Sequence, residues 1–253
     1  MIIAICNQKG GVGKTTLATN LAARMHAPDG KPNLLVDCDP QGNATTTLGV
    51  EMKPGDFTLN DVLAAVATGS AGSVARGAIM HAEEPWGLDL LPADRLLASR
   101  ESDTSLGRET RLATVTEELA GDYGHIVIDC PPAIGMLTTN ALVAADRAII
   151  VTHARETSVD GVSEMVSTIA TIRSHYNPRL TLAGIVLNAY RQDRTDRRAW
   201  ADKLREYFGG YLLDTPLPER EAIAAAATRH EPIPASEQST AVIDEIANHL
   251  EEK

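Results

Sequence analysis

The chain has 253 residues, of which 43% are apolar and 4% aromatic, and its formal net charge is −11. This length suits one α/β domain with a sizeable core, and the acidic balance argues against a protein whose whole surface grips nucleic acid. No stretch approaches the ~18 uninterrupted apolar residues of a membrane-spanning helix. The first residues lack the basic region and cleavage site of a secretion signal. The three cysteines form no CxxC pair, which favours a reduced, cytoplasmic protein.

Short apolar runs alternate with amphipathic segments of helix length along the chain. Predicted buried strands cover residues 2–6, 33–37, 88–91, 125–129, 147–151 and 181–187, and predicted helices cover 15–26, 109–120, 159–175, 195–208 and 237–251. This alternation predicts an α/β fold with one doubly wound, mainly parallel sheet and helices on both faces, in a single domain over 1–253. Residues 66–82 are small and rich in Gly and Ser, so we expect a mobile connection there.

A glycine-rich segment joins the first predicted strand to the first predicted helix. Residues 8–16 read QKGGVGKTT, in which Gly13, Lys14 and Thr15 fit the phosphate-loop pattern, while Gln8 replaces its first glycine and Lys9 adds a second lysine. The backbone N–H groups of such a loop and the positive end of the helix bind phosphate oxygens. We therefore expect Lys14 between the β- and γ-phosphates and the Thr15 hydroxyl on Mg²⁺.

Three aspartates follow apolar strands that should end beside this loop. Asp37 and Asp39 lie in LLVDCDPQGNAT, and Asp129 lies in HIVIDCPPAIG. A carboxylate at this edge of the sheet can hold Mg²⁺ through water. Because two carboxylates beside a bound nucleotide repel each other unless a metal or water lies between them, either Asp37 or Asp39 is expected to position the attacking water.

The segments KGGVGKTT, VDCDPQGNAT and VIDCPP together resemble the deviant Walker ATPases of the ParA/MinD group, over nearly the whole chain. The segments DPQGNAT and LLPADRLLASRE are most similar to the short, Soj-type ParA proteins. The resemblance implies a P-loop NTPase domain with ATP and Mg²⁺ as cofactors, and a homodimer that sandwiches the nucleotides. In that dimer Lys14 acts on its own subunit's phosphates, and Lys9 places a second cation on those of the partner.

The resemblance also assigns further site residues. It makes Asp39 the residue that orients the hydrolytic water, Asp37 a support of the Mg²⁺ site and Asp129 the Walker B carboxylate. Beyond the loop residues Gly10, Gly11, Val12, Gly13, Lys14 and Thr15, it implies further nucleotide contacts: Thr16 at the α-phosphate, Asn188, Pro216 and Pro218 at the adenine, and Glu156 toward the partner's nucleotide.

A basic stripe is predicted in residues 191–208, RQDRTDRRAWADKLREYF. On a helix, Trp200, Leu204 and Tyr207 fall on a core-facing side, and the arginines on another. The residues expected to contact DNA phosphates are Arg194, Arg197, Arg198 and Arg205, joined by Arg220 and Arg229. The intervening aspartates leave open the alternative of an ordinary solvated face.

These features favour a ParA-like partition ATPase, with slow ATP hydrolysis stimulated by a ParB-like partner. ATP would close the dimer, the dimer would bind nonspecific duplex DNA on the nucleoid, and hydrolysis would release it, which segregates or positions plasmid, chromosome or another cargo. Because no DNA-reading extension precedes the loop, we do not expect recognition of a specific operator.

Two alternatives remain open at this stage. A MinD-like membrane-cycling regulator of the division site requires a basic amphipathic C-terminal helix, but the ending AVIDEIANHLEEK is mostly acidic and predicts a helix docked on its own core. A reductase or cluster carrier on the same scaffold requires cysteines in a loop between subunits. Cys6, Cys38 and Cys130 instead fall at strand ends, where we expect small buried apolar side chains.

Overall fold

The computed structural model describes residues 1–27 and 29–252. The strands are β1 (Ile2–Cys6), β2 (Leu34–Asp37), β3 (Met80–Ala82), β4 (Leu88–Leu91), β5 (Ile126–Asp129), β6 (Arg147–Thr152) and β7 (Thr181–Leu187). The α-helices are α1 (Lys14–Arg24), α2 (Asn43–Thr47), α3 (Leu59–Ala65), α4 (Ala71–Ala78), α5 (Arg111–Leu119), α6 (Met136–Ala144), α7 (Ser158–His175), α8 (Thr195–Phe208), α9 (Glu221–Thr228) and α10 (Gln238–Glu251). Short 3₁₀ segments cover Val66–Thr68, Arg95–Ser102 and Arg108–Thr110.

In the described part of the chain, the seven strands form one sheet in the order β3-β4-β2-β5-β1-β6-β7. Every neighbouring pair is parallel except β3 and β4. Asp129 of β5 stands in register with Ile5 of β1 on one side and with Asp37 of β2 on the other. The carboxyl ends of the three central strands therefore lie side by side, which brings the glycine loop and the acidic segments to one edge.

Alternate residues of the central strands bury against opposite faces of the sheet. In β1, Ala4 and Cys6 pack into the core that also contains residues of α3 to α8, whereas Ile3 and Ile5 pack into the core with α1 and α10. Strands buried on both faces read as continuous apolar runs, which explains why they are recognisable in the sequence. The predicted fold class is confirmed, and the bounds of the predicted strands and helices agree to within two residues, whereas β3 and helices α2, α3, α4, α6 and α9 were not predicted.

The segment 66–82 is not the mobile connection that its composition predicts. It forms a 3₁₀ turn, helix α4 and the antiparallel edge strand β3. Ala75 of α4 is fully buried, and a Cβ on Gly72 would overlap the Glu118 carboxylate of α5. The small residues are thus required by close helix packing, a cause that composition alone does not distinguish from mobility.

Candidate nucleotide and metal site

The glycine loop leaves β1 in a turn that is shaped by Asn7. The side chain of Asn7 donates to the Val151 carbonyl at 2.6 Å and accepts from the Lys9 backbone N–H at 3.1 Å. Gly11 and Gly13 have φ values of 69° and 93°, in the left-handed region that glycine adopts without strain. The loop then runs directly into α1, whose first N–H groups face the edge of the sheet where the acidic segments end.

Gly13 is required for a second reason besides its backbone conformation. The Asn188 side chain, at the end of β7, donates to the Val12 carbonyl at 2.8 Å. A Cβ on Gly13 would overlap Asn188 Nδ2 and lie 3.1 Å from Asn188 Cγ. Asn188 therefore braces the loop from β7, so this residue, expected beside the adenine, also contacts the phosphate loop itself.

The two lysines of the loop differ in burial and in partners. Lys14 is 6% exposed, and its Nζ donates to the Lys9 carbonyl at 3.1 Å. Burial lowers the pKa of Lys14, while the charge of Asp129 opposes this shift. Lys9 is partly exposed and its Nζ donates to the Thr157 carbonyl, in the turn that precedes α7. Of the two lysines, only Lys14 thus points into the loop.

The exposed Glu156 is the neighbour of Thr157 in this turn. The structure therefore places Glu156 on the same side of the site as Lys9. Thr16, in the first turn of α1, is half-buried, and its carbonyl accepts from the Asn20 side chain at 2.9 Å. Gly10 and Gly11 are exposed at the tip of the loop.

Asp129 is a fully buried carboxylate at the end of β5. It is 0% exposed, and its Oδ2 accepts from the Thr15 hydroxyl at 2.7 Å. Its Oδ1 is buried with no hydrogen-bond partner among the described residues. Burial, followed by the nearby charge of Asp37, raises the pKa of Asp129 to about 8. A buried carboxylate with an unused oxygen beside a threonine hydroxyl is a donor set that suits a cation.

Asp37 and Asp39 have different surroundings. Asp37 is fully buried and accepts from the backbone N–H and the hydroxyl of Thr45, each at 2.8 Å. Burial raises the pKa of Asp37 to about 6. Asp39 lies beyond the end of β2, where one carboxylate oxygen caps the Gln41 N–H at 3.0 Å. Asp37 is therefore held in place by Thr45, whereas Asp39 has capacity left to bind water.

The residues present fit a magnesium ion. Thr15 Oγ1 and Asp129 would hold it, with Asp37 in support, and Mg²⁺ usually combines one or two such protein groups with water and substrate phosphates. Among the residues that the structure describes, no cluster of three or more His, Cys, Asp and Glu side chains is arranged to hold a metal. Thr45 and Asn7 were not singled out from the sequence, although Thr45 lies within the DPQGNAT segment.

A cavity lies beyond Asn188, where the chain after β7 meets the loop before α9. Leu217 N–H donates to the Leu187 carbonyl at 2.8 Å, which holds Pro216 and Pro218 beside the end of β7. The cavity has a volume of about 540 Å³, and its lining includes Tyr190, Pro216, Pro218, Arg220 and Gln238. Pro216 and Pro218, which are expected beside the adenine, thus line this cavity. Asn188 lies between the cavity and the phosphate loop.

The arginines expected to form a basic stripe do not all face solvent. Arg197 is half-buried and donates to the Ala154 carbonyl at 3.2 Å, so its guanidinium is turned toward the protein. Arg194, Arg205 and Arg229 lie within 4 Å of Asp196, Asp202 and Glu231 respectively. Arg220 donates to the Gln238 side chain at 3.0 Å. Arg198 is exposed and has no acidic side chain within 4 Å in the described chain.

The expected core position in α8 is confirmed for Leu204, whereas Trp200 and Tyr207 differ from it. Leu204 is fully buried, whereas Tyr207 is 67% exposed, so the expectation of a core position is wrong for Tyr207. Trp200 is half-buried, and the Lys203 ammonium lies 4.4 Å from its ring centroid. Phe208, the residue after Tyr207 and the last of α8, packs against the core instead of Tyr207.

The cysteines and the C-terminal helix agree with their sequence-based interpretation. Cys6, Cys38 and Cys130 are buried and unbonded to one another, and burial raises the pKa of each thiol. In α10 the apolar face of Val242, Ile243, Ile246 and Leu250 is at most 3% exposed, and Arg24 of α1 pairs with Asp244. No helix in the described residues has the length and apolar character needed to cross a membrane.

Comparison with known proteins places this site in a family. A protein-family model described as an AAA domain matches residues 1–182. The chain is 36% identical to the chromosome partitioning protein ParA of Caulobacter vibrioides over 92% of its own length and 85% of that protein. It is 35% identical to the sporulation initiation inhibitor protein Soj of Bacillus subtilis, over 92% of its own length and 89% of that protein. The chain belongs to the ParA/Soj family.

A solved structure with a similar fold contains a bound nucleotide. Cobyrinic acid a,c-diamide synthase of Mycobacterium smegmatis, with bound ADP and magnesium, superimposes with a TM-score of 0.82. The match covers 99% of this chain and 94% of that one, at 29% identity. This match confirms the predicted doubly wound P-loop NTPase fold, and the ParA and Soj relatives confirm the resemblance to ParA proteins.

Proposed function

We propose that this protein is a ParA-like partition ATPase, which binds Mg-ATP, dimerises around it and hydrolyses it slowly. The observation that carries the proposal is the arrangement of the two loop lysines. Lys14 is buried and faces the phosphate loop, whereas Lys9 reaches outward to Thr157 at the margin of the site. A subunit that uses only one of its two lysines on its own phosphates has a cation left for a partner's phosphates.

The chemistry follows from the residues around Lys14. The N–H groups of the glycine loop and the Lys14 ammonium bind the phosphates and stabilise the charge that develops on the transferred phosphoryl group. Thr15 and Asp129 would hold Mg²⁺, which when bound would supply positive charge that stabilises the terminal phosphates. Asp39, which retains free acceptor capacity, would orient the attacking water, and Thr45 keeps Asp37 fixed beside it.

The proposed consequence of dimerisation is binding to nonspecific duplex DNA on the nucleoid, with release when a ParB-like partner stimulates hydrolysis. Arg198, which is exposed and has no acidic side chain within 4 Å among the described residues, is the best-supported phosphate contact of α8. Pairing two subunits doubles each basic patch, so DNA affinity becomes dependent on ATP. The partition relatives match at higher identity than the diamide synthase, which favours this function over a synthase reaction.

Binding to nonspecific duplex DNA tests the proposal, measured with ATP, with ADP and without nucleotide at near-physiological salt. We expect retention with ATP only, weakening as salt rises. Lys9→Ala is expected to keep nucleotide binding but lose ATP-dependent dimerisation and DNA retention. Lys14→Ala is expected to lose nucleotide binding itself, and with it dimerisation and DNA retention. Dimerisation by ATP without DNA binding in any state would refute the DNA-carrier function, and vesicles of anionic lipid would then test the membrane alternative.

A further inference from the structure

The loop between Asp129 and α6 is attached to a distant part of the chain by one carboxylate. Glu101, in the 3₁₀ segment Arg95–Ser102, accepts from the backbone N–H of Met136 at 2.6 Å and of Leu137 at 3.3 Å. These are the first two N–H groups of α6, which have no partner within the helix. A carboxylate at this end of a helix is favoured by the partial positive charge there.

Gly135, the residue just before α6, is adapted to this contact. Its φ of −128° is open to any residue, so its backbone does not require glycine. A Cβ at this position would instead overlap Glu101 Oε2 and lie 2.8 Å from Glu101 Cδ. The absence of a side chain at Gly135 therefore lets the carboxylate reach the end of the helix.

The first turn of α6 contacts both acidic segments of the site. The Leu137 carbonyl accepts from the Cys38 thiol at 3.7 Å, and Cys38 lies between Asp37 and Asp39. Residues 130–135 connect Asp129 to the same turn, and Pro132 Cβ lies near Gly10 of the phosphate loop. A displacement of the helix start would consequently move the surroundings of Asp39 and Asp129 together.

We propose that Glu101 is a positioning residue, which holds the start of α6, and with it the segment 130–135, in the arrangement that hydrolysis requires. Glu101 touches neither Lys14 nor Thr15, so it should affect the rate of hydrolysis and not the affinity for the nucleotide. This inference rests on the proposed nucleotide hydrolysis, but the attachment itself can be tested without any nucleotide.

Two substitutions at different positions break the same contact. Glu101→Gln removes the charge and sets an amide against two N–H donors, and Gly135→Ala displaces the carboxylate by steric overlap. In each we expect kcat for ATP hydrolysis to fall about tenfold, with the Kd for ATP changed less than about twofold. Glu117→Gln and Gly121→Ala are the matched controls, since Glu117 is exposed in α5 and a Cβ on Gly121 meets no atom within 4 Å.

Hydrogen exchange without nucleotide provides the second measurement. The amides of residues 135–139 are expected to exchange about tenfold faster in both variants, with the rest of the sheet unchanged. The inference would be overturned if kcat were unchanged or higher in both variants. It would also be overturned if the control variants lost as much kcat as Glu101→Gln and Gly135→Ala. If the wild-type protein hydrolyses no ATP, the proposed function fails, and unchanged exchange in residues 135–139 would then overturn the positioning role separately.

Discussion

Substitution of Gly13 by alanine tests how the phosphate loop is held. The left-handed backbone, with φ of 93°, costs a residue with a side chain about 1–2 kcal/mol. The new methyl group also displaces Asn188 from the Val12 carbonyl, and losing that hydrogen bond costs about 0.5–1.5 kcal/mol. The lower conformational entropy of the unfolded alanine variant offsets about 0.4–1 kcal/mol of this loss of stability. The expected loss of stability is therefore about 0.5–3 kcal/mol, with a central value of about 2 kcal/mol.

Urea unfolding of a double-mutant cycle with Asn188→Ala measures the two contributions separately. The hydrogen bond from Asn188 to Val12 is lost in both single variants but can be lost only once in the double variant. We therefore expect the double variant to be about 1 kcal/mol more stable than the sum of the single losses predicts. Nucleotide affinity should fall in Gly13→Ala, because the N–H groups of the loop move away from the phosphates.

Two outcomes would refute this reasoning. One is a Gly13→Ala variant as stable as the wild-type protein to within about 0.5 kcal/mol, the range typical of surface substitutions. The other is strict additivity in the cycle, which would mean that Asn188 does not brace the loop. Gly121→Ala is the control, since its Cβ would enter open space and its φ is not in the left-handed region.

Three further predictions concern the acidic and basic residues. In EDTA, the stability of the protein should fall as pH rises from about 4 to about 8. The pKa values of about 6 for Asp37 and about 8 for Asp129 lie above the pKa of an unfolded aspartate. The folded state therefore binds more protons than the unfolded state over this range. Asp129→Asn should flatten this decline in urea unfolding across that range while losing the stabilisation by Mg-ATP, and an equally steep decline would contradict it. Asp39→Ala should bind ATP normally but hydrolyse it about 10²–10⁴-fold more slowly in a phosphate-release assay, with an ATP-stabilised dimer in sedimentation; normal turnover would remove Asp39 from its proposed role. Arg198→Ala should weaken DNA binding and lower its salt slope by about 1, whereas Arg197→Ala should mainly lower the unfolding temperature, because Arg197 is turned toward Ala154; equal effects on DNA binding would contradict this distinction.

The sequence by itself determined six of the seven strands that the structure describes and the residues that end the central ones. The central strands are buried on both faces, so their apolar runs are continuous and their ends are marked by Asp37 and Asp129. The glycine loop is equally local, since Gly13, Lys14 and Thr15 are adjacent in the chain and their spacing alone predicts a phosphate site. Both features depend on interactions over a few residues, which a single sequence records.

The tertiary structure decided what depends on distant parts of the chain. The contact of Asn188 with Val12 joins residues 176 apart, and that of Glu101 with Met136 joins residues 35 apart. Helix α4 forms because its small residues pack against α5, although the same composition is typical of a mobile segment. Arg197 lies on the predicted stripe but turns toward Ala154, because the neighbouring turn offers its carbonyl. Side-chain partners of this kind are set by packing, for which the periodicity of a single helix carries no information.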